Sequence, residues 1–296
     1  MPADATLKTQ PLVSVVIGTL NRAKFLERCV RSVLDQTYRN IECIVMDGAS
    51  KDGSVEILKR LADSDPRLKY VSEPDDGEVD AVNKGIDLVS GEILGFQSSD
   101  DYYLGDAIES AVRFLMDHPE FACVGGDTLF IDADGNNLGS GMFTYRGKMS
   151  KETIHRIIMF HHVSPLYHGS SFGWRKRLLA HGKFDPRFSV SYDYDFYLRL
   201  LSHGEQIGCL PKVQLKYTLH PDMGAIKFKE KVKEQCRQIR KVHGFKPYQE
   251  LARIFFSRPV SYLMNPYRPP ISSVLKELPH QLREFGDWFR DGGKKE

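Results

Sequence analysis

Long apolar runs are missing from this 296-residue chain. No stretch approaches the ~20 consecutive apolar residues that a membrane span requires. The first ten residues, MPADATLKTQ, lack the apolar centre of a secretory signal. Cysteine is sparse. Cys29, Cys43, Cys123, Cys209 and Cys236 are odd in number and far apart, and no Cys-x-x-Cys pair occurs. That pattern argues against a disulfide framework or a cysteine zinc site and for a reducing compartment. A cytoplasmic protein is expected. Net charge is nearly absent too: 41 Lys and Arg face 39 Asp and Glu, a formal +2. A nucleic-acid binder working by electrostatics would be far more basic, so no nucleic-acid partner is expected. There is no Gly-x-Gly-x-x-Gly after the first apolar run and no Walker loop, so any nucleotide is not held by a glycine-rich cradle.

What is present is ordinary globular composition, 41% hydrophobic and 27% charged, over a length that can bury a sizeable core. The small net charge hides an asymmetry. From Gly224 to Glu296 there are 16 Lys/Arg against 8 Asp/Glu, whereas the preceding residues hold 25 against 31. Leu12 to Gly18 (LVSVVIG) is apolar and β-branched, the pattern of a strand buried on both faces. Lys24 to Asp35 then places Phe25, Leu26, Cys29, Val30, Val33 and Leu34 on one helical stripe. Strands at Ile41–Met46, Leu68–Val71 and Glu92–Phe96 alternate with helices at Ser54–Ala62 and Val79–Val89, the latter ended by Ser90-Gly91. The alternation predicts an α/β fold with a doubly wound, mostly parallel sheet. After a helix at Asp106–Met116, Phe121–Ile131 and Asn137–Thr144 read as a hairpin around Asp132–Asn136. Tyr192–His203 reads as a helix, Gln206–Leu210 and Val213–Leu219 as two short strands, and Phe228–His243 as a charged helix.

In an open α/β sheet, ligands sit outside the carboxyl ends of the strands. Those ends carry Thr19, Asn21 and Arg22; Asp47 and Ser50; Glu73, Asp75 and Asp76; and Asp100 with Asp101. Asp47 could accept from a base N–H or a ribose hydroxyl. Asp100 and Asp101 could hold a divalent cation that neutralises a diphosphate. Taken singly, Asp47-Gly48 reads as an Asx turn and Ser99-Asp100 as a helix cap. Three acidic strand ends in successive βα units favour a site.

Five segments occur in order: SVVIGTLNR (Ser14–Arg22), IECIVMDGASKDGS (Ile41–Ser54), EPDDGEVDAVNKGI (Glu73–Ile86), GEILGFQSSDD (Gly91–Asp101) and FDPRFSVSYDYDFYLRL (Phe184–Leu200). Together they resemble the family 2 inverting glycosyltransferases over about Leu12 to Gly224. The resemblance implies a GT-A fold, a nucleotide-sugar donor, expected to be a UDP-sugar, and Mn²⁺ or Mg²⁺ as cofactor. It implies that Thr19, Asn21, Arg22 and Asp47 serve the nucleoside end, and that Asn83, Lys84, Ser99 and Asp100 line the donor site. Asp100 and His220 would hold the metal, with Ser98 where the family's first metal-motif acid stands. Asp193 would be the general base, preceded by Tyr192 where relatives often carry Glu. His168 and Asp101 would lie on the acceptor side. Inverting transfer needs one base on the acceptor's side of the sugar, so one carboxylate suffices. Asp193 and Asp195 lie about 200° apart on a helix, so Asp195 is expected to be structural, capping or pairing with Arg199.

Other patterns compete. Gly169-Ser170-Ser171-Phe172-Gly173 fits a nucleophile elbow, with Asp193 and His220 following in hydrolase order, but that reading leaves the first half unexplained. FIDADGN (Phe130–Asn136) is expected to be a hairpin turn rather than a calcium loop. His155, His161, His162 and His181 are too irregularly spaced for zinc. The expected organisation is a tail over 1–11, a GT-A domain over 12–243 with a nucleotide-sugar half ending at 101 and an acceptor half beyond, and a basic extension over 244–296. The extension carries Ile271, Val274, Leu275, Leu278, Leu282, Phe285 and Phe289 on one helical face, among basic residues. It is expected to meet an anionic membrane surface or to pack on protein. The expected partners are a nucleotide-sugar donor and a saccharide or lipid-linked acceptor, at the inner face of the membrane. The alternatives are a sugar-nucleotide pyrophosphorylase, or a catalytically silent nucleotide-sugar binding protein.

Overall fold

The computed structural model describes residues 10–140 and 166–244. The first nine residues, His155, His161, His162, most of the segment from 139 to 172, and the extension beyond Gly244 lie outside the described residues. Apolar alternation explains the centre of the sheet. Strands β1 (Val13–Thr19), β2 (Ile41–Asp47), β3 (Leu68–Ser72) and β4 (Ile93–Ser98) are parallel neighbours in the order β3-β2-β1-β4. In β1, Val13, Val15 and Ile17 enter one core and Val16 the other. In β2, Ile41, Cys43 and Val45 enter the first and Ile44 and Met46 the second. A strand whose successive side chains point to opposite faces is thus apolar throughout because both faces are covered.

Helices α1 (Ala23–Leu34), α2 (Ser54–Ser64) and α4 (Ala107–Asp117) supply residues to the first core. Helix α3 (Glu78–Leu88) lies over the second, with Val79, Ala81, Val82 and Ile86 buried. Gly85 permits its close seat: a Cβ there would lie 2.5 Å from Val16 Cγ1. All five cysteines are buried free thiols. Burial pushes Cys29, Cys43 and Cys123 up, which leaves them poor nucleophiles.

The second half continues the same sheet, so Asp101 is not a break between separate sheets. Strands β5 (Tyr102–Tyr103), β6 (Phe121–Asp132), β7 (Asn137–Ser140), β8 (Ser171–Trp174) and β9 (Gln206–Leu219) extend it as β4-β8-β6-β9-β5, with β7 paired to β6. β8 is antiparallel to both β4 and β6, whereas β6 and β9 are parallel. β6 and β9 therefore run in the sense of β1–β4. The residue after β9, His220, arrives at the carboxyl edge of the sheet. So does the 3₁₀ turn His168–Ser170 that precedes β8.

Several local expectations change. β9 is one strand, not two: Pro211 cannot donate a ladder bond, and the pairing to β6 jumps from Leu210 to Val213 as a bulge. β8 is too short and glycine-bearing to show a strand pattern, yet it is central and buried. Ser90-Gly91 is no left-handed helix cap. Gly91 instead lies where a Cβ would come 2.6 Å from the Leu12 carbonyl. The remaining helices are α5 (Arg175–Leu179), α6 (Tyr192–Ser202), α7 (Gly224–Lys227) and α8 (Lys229–Val242); α8 is the expected charged helix, and α7 is a short turn before it. Among the described residues no helix is long and apolar enough to cross a membrane.

Candidate active site

The strand register brings the candidate residues into line. Thr19 pairs with Asp47, Asp47 with Ser72, and Gly18 with Ser98. Asp47 is buried. Its Oδ2 accepts from the Ser50 N–H at 3.0 Å and the Ser72 hydroxyl at 2.7 Å. Its Oδ1 and the neighbouring Thr19 Oγ1 are buried without a hydrogen-bond partner. Two unsatisfied polar atoms on adjacent strand ends have the character of a ligand site, because buried polar groups are otherwise paired. Asn21, at φ +53°, ties the β1 and β2 loops together: its N–H donates to Ser50 Oγ at 2.7 Å and its Oδ1 accepts from the Lys51 N–H at 2.9 Å. Arg22 reaches across to the Asp222 carbonyl at 3.3 Å. A cavity of about 280 Å³ opens here, bordered by Asn21, Arg22, Lys24, Phe25 and His220.

Beyond β4 the chain turns through Ser99 and Asp100. Asp100 Oδ2 lies 2.9 Å from His220 Nε2, and His220 stacks on Phe25 at 5.0 Å between centroids. The Thr218 hydroxyl donates to the Asp100 carbonyl at 2.6 Å, fastening β9 to this turn. Asp101 is turned inward, not into the cleft. It is buried, with Oδ1 accepting from the Thr218 N–H at 2.8 Å and Oδ2 accepting from the Tyr167 hydroxyl. Burial and the nearby Asp100 push its carboxyl well above the usual carboxylate range, against the pull of those two donors. Asp101 is an internal tie between β4 and β9. Ser98 does not turn toward Asp100 as a metal ligand would. Its Oγ lies 3.0 Å from Tyr167 Oη and 3.2 Å from His168 Nε2.

Asp193 sits in the first turn of α6. Its Oδ1 accepts from the Tyr194 N–H at 2.8 Å, and its Oδ2 lies 3.9 Å from His168 Nδ1. That Nδ1 is buried and otherwise unpartnered. The imidazole is flanked by Tyr167 and Tyr192 at 4.8 and 5.4 Å. Asp195 points the other way, as the helical angle requires. It is buried between Arg199 Nε at 2.7 Å and His243 Nε2 at 3.0 Å, which anchors α8 to α6.

Two expected donor-site residues are occupied by protein. The Asn83 amide clasps the Phe184 backbone at both ends, donating to its carbonyl at 2.8 Å and accepting from its N–H at 3.1 Å. Lys84 bridges Asp80 and Glu73 at 3.0 and 3.3 Å. The geometry makes Asn83 a packing clasp between α3 and the segment before α6. Glu78 is the residue that the sequence patterns passed over. It is the first residue of α3, and its Oε1 accepts from the Tyr192 hydroxyl at 2.8 Å. Its position directly behind the Gly77 turn at a strand end was the available signal.

The competing patterns resolve. Ser171 is buried at the start of β8, bonded to the His168 carbonyl at 2.8 Å and to Tyr197 Oη, so it is no nucleophile at an elbow. Asp132 closes a turn, with Oδ1 accepting from the N–H groups of Asp134 and Asn136 at 2.9 Å each. His181 stacks on His203 and faces Glu205 at 3.5 Å.

The chain belongs to glycosyl transferase family 2, whose model matches residues 14–181. It is 29% identical to a hyaluronan synthase of Pasteurella multocida over 224 residues, 76% of this chain and 22% of that protein. It is 31% identical to a chondroitin synthase of Escherichia coli over 225 residues, 76% of this chain and 31% of that protein. The chain thus spans less than a third of the length of these two relatives. Among solved structures, S. aureus TarS 1–349 in complex with UDP-GlcNAc matches with a TM-score of 0.66 at 20% identity, over 93% of this chain and 80% of that one. The architecture is the GT-A fold expected from the sequence.

Proposed function

We propose that this chain is an inverting glycosyltransferase that moves a sugar from a nucleotide-sugar, a UDP-sugar by the chemistry of the base site, to a hydroxyl of a saccharide or lipid-linked acceptor. The observation that carries the reading is the short path of contacts along the sheet edge. The turn bearing Asp100 begins at Ser98, Ser98 touches His168, and His168 faces Asp193. A group that can serve the leaving diphosphate and a group that can serve as base therefore stand beside one cleft. The UDP-GlcNAc complex of the TarS neighbour supports a donor of this class.

Asp47 Oδ1 accepts from the N3–H of a uracil-type base, and Thr19 Oγ1 supplies a second polar contact. Asp193 takes the proton of the acceptor hydroxyl as its oxygen bonds to the anomeric carbon. The bond from that carbon to the diphosphate breaks on the opposite face, and the nucleoside diphosphate departs with the electron pair.

Asp100 and His220 offer one carboxylate and one imidazole. Among the described residues no group of three or more His, Cys, Asp or Glu could hold a metal ion. A two-donor set fits a cation that arrives with its nucleotide, since Mg²⁺-type sites take few protein ligands and complete their shell with phosphate and water. Bound there, Mn²⁺ or Mg²⁺ would neutralise charge on the leaving diphosphate. The basic extension beyond Gly244 is assigned to an anionic membrane surface at which a lipid-linked acceptor is presented, on the strength of its sequence alone. Thermal melting with UDP, with and without Mn²⁺, tests the donor assignment. A melting temperature unmoved by saturating UDP and Mn²⁺ overturns it, because a ligand of the native state must raise apparent stability.

A further inference from the structure

We propose that Glu78 reads the transferred sugar: its second carboxylate oxygen accepts a hydrogen bond from a neutral hexose or N-acetylhexosamine, and its charge bars a hexuronate. The inference rests on the function proposed above and names the donor class for that same site.

Glu78 is aimed by its backbone. Gly77 precedes it at φ +106°, a conformation that side chains other than glycine's rarely adopt, and the Gly77 N–H donates to Asp75 Oδ1 at 2.9 Å. The helix that starts at Glu78 is seated against β1, so the side chain leaves a rigid element. One carboxylate oxygen is engaged, by the Tyr192 hydroxyl at 2.8 Å. Tyr192 is itself buried and wedged between His168 and Phe184, at 5.4 and 4.9 Å. The acid is thus gripped from one side. Among the described residues no protein group bonds its other oxygen, and the residue is exposed.

Among the described residues Glu78 is also an acid without an ion-paired Lys or Arg. Its neighbours along the chain are paired: Glu73 and Asp80 with Lys84, and Asp87 with Lys183. The Tyr192 hydroxyl that bonds Glu78 also lies 3.3 Å from His168 Nε2, and His168 Nδ1 lies 3.9 Å from Asp193 Oδ2. Glu78 reaches solvent but is crowded by protein along the cleft wall, and that crowding, with Asp100 and Asp193, raises its carboxyl above the ordinary range, while His168 and the Tyr192 hydroxyl oppose it. Glu78 is thus joined through Tyr192 and His168 both to Asp193 and to Ser98, where the turn bearing Asp100 begins, so it borders the interval between the groups that bracket the anomeric carbon. The sugar ring being transferred occupies that interval. A carboxylate is acceptor-only, so it suits the O–H and amide N–H donors on a neutral sugar. A second carboxylate, on the sugar, meets Glu78 and Asp193 as like charges, and among the described residues no Lys or Arg forms an ion pair with Glu78.

The bland alternative is that Glu78 only steadies Tyr192. Calorimetry separates the two. UDP, UDP-glucose, UDP-N-acetylglucosamine and UDP-glucuronate are titrated with Mn²⁺ at pH 8 into the wild-type chain, Glu78→Gln, Glu78→Ala and Tyr192→Phe. UDP lacks the sugar and should bind all four proteins within about twofold, which also verifies that each variant folds. Wild type should prefer a neutral sugar over the glucuronate by roughly tenfold or more, the scale of a charge-assisted hydrogen bond. Glu78→Gln and Glu78→Ala should each cut that preference at least about fivefold, whereas Tyr192→Phe should keep most of it. An unchanged preference in both Glu78 variants with intact UDP binding overturns the proposal. So does an equal loss in Tyr192→Phe, because the acid would then act through Tyr192 alone. Failure of the wild-type chain to bind UDP with Mn²⁺ overturns the donor assignment itself, and this inference with it.

Discussion

Replacing Asp47 by Asn is a one-atom change whose consequence can be worked out from the hydrogen bonds around it. Oδ2 accepts from two donors, the Ser50 N–H and the Ser72 hydroxyl. The new amide must therefore place its oxygen there, because an NH₂ in that position would meet the Ser50 N–H donor to donor. Its NH₂ then occupies the position of Oδ1, the atom left without a partner and assigned to the base N3–H. A charge-assisted hydrogen bond becomes a clash of two donors. Hydrogen bonds to charged groups contribute about 1.5–3 kcal/mol, so the Kd for UMP should rise roughly 10- to 150-fold. The loss should not depend on metal, since the contact is to the base. Cytosine presents an acceptor at its N3, so the variant should lose little affinity for CMP, and the preference for UMP over CMP should shrink or reverse. Calorimetry with UMP and CMP in the presence of EDTA measures both. Equal weakening of the two nucleotides, or none, would refute the assignment of Asp47 Oδ1 to the base edge.

The other predictions concern separate parts of the molecule. Asp193→Asn should lower transfer by ~10²–10⁴-fold while UDP-sugar affinity stays near wild type, and near-normal turnover would remove it as the base. Asp195→Asn is the control: weakening the pairing to Arg199 and His243 should cost about 1–3 kcal/mol of stability, read as a lower melting temperature, rather than selectively abolish chemistry. Asp100→Ala should abolish the Mn²⁺ dependence of UDP binding and leave UMP binding unchanged; a UDP titration that still responds to Mn²⁺ places the metal elsewhere. Glu42 is buried, which alone would raise its carboxyl, but the hydroxyls of Ser14 and Ser90, the Ser90 N–H and Lys69 bring it down to about 2. Its folded value is depressed, so its contribution to stability is complete above about pH 4.5 and is lost as pH falls toward 2. Acid melts of Glu42→Gln should therefore show a flatter loss of stability across that window than wild type. The extension carries the fifth prediction: the intact chain should co-sediment with anionic liposomes at low salt, and truncation after Gly244 should release it. Equal sedimentation of the truncated chain would refute membrane binding through residues 253–290.

Period and buried-strand patterns made the first half of the fold legible because its central strands β1, β2 and β4 are buried on both faces. LVSVVIG and IECIVM have no polar face to hide, and the helices that cover them show one apolar stripe each. The second half obeys different physics. β8 gains its place from pairing with β4 and β6 rather than from its own four residues, two of which are Ser and Gly. Pro211 reads as a stop signal, yet β9 absorbs it as a bulge because β6 supplies partners on both sides. Tertiary pairing overrode local pattern in both places.

The site divides along the same line. The positions of Asp47, Asp100, Asp193 and His220 were legible because each follows a recognisable strand end or opens a helix; their roles remain those proposed above. Asp101 and Glu78 were not, since adjacency in sequence does not reveal direction. Asp100 and Asp101 are neighbours, but one points to His220 in the cleft and the other inward to Tyr167 and Thr218. Glu78 and Tyr192 are 114 residues apart and touch at 2.8 Å. That contact bears on a departure in the sequence itself. By the family resemblance, Tyr192 stands where a Glu would precede the proposed base, and a tyrosine cannot supply a carboxylate. Here an acid reaches the same residue from α3, and the tyrosine hydroxyl holds it in place. A carboxylate mounted there keeps one oxygen free for the cleft, which a residue with both oxygens bound by protein, as in Asp101, could not do.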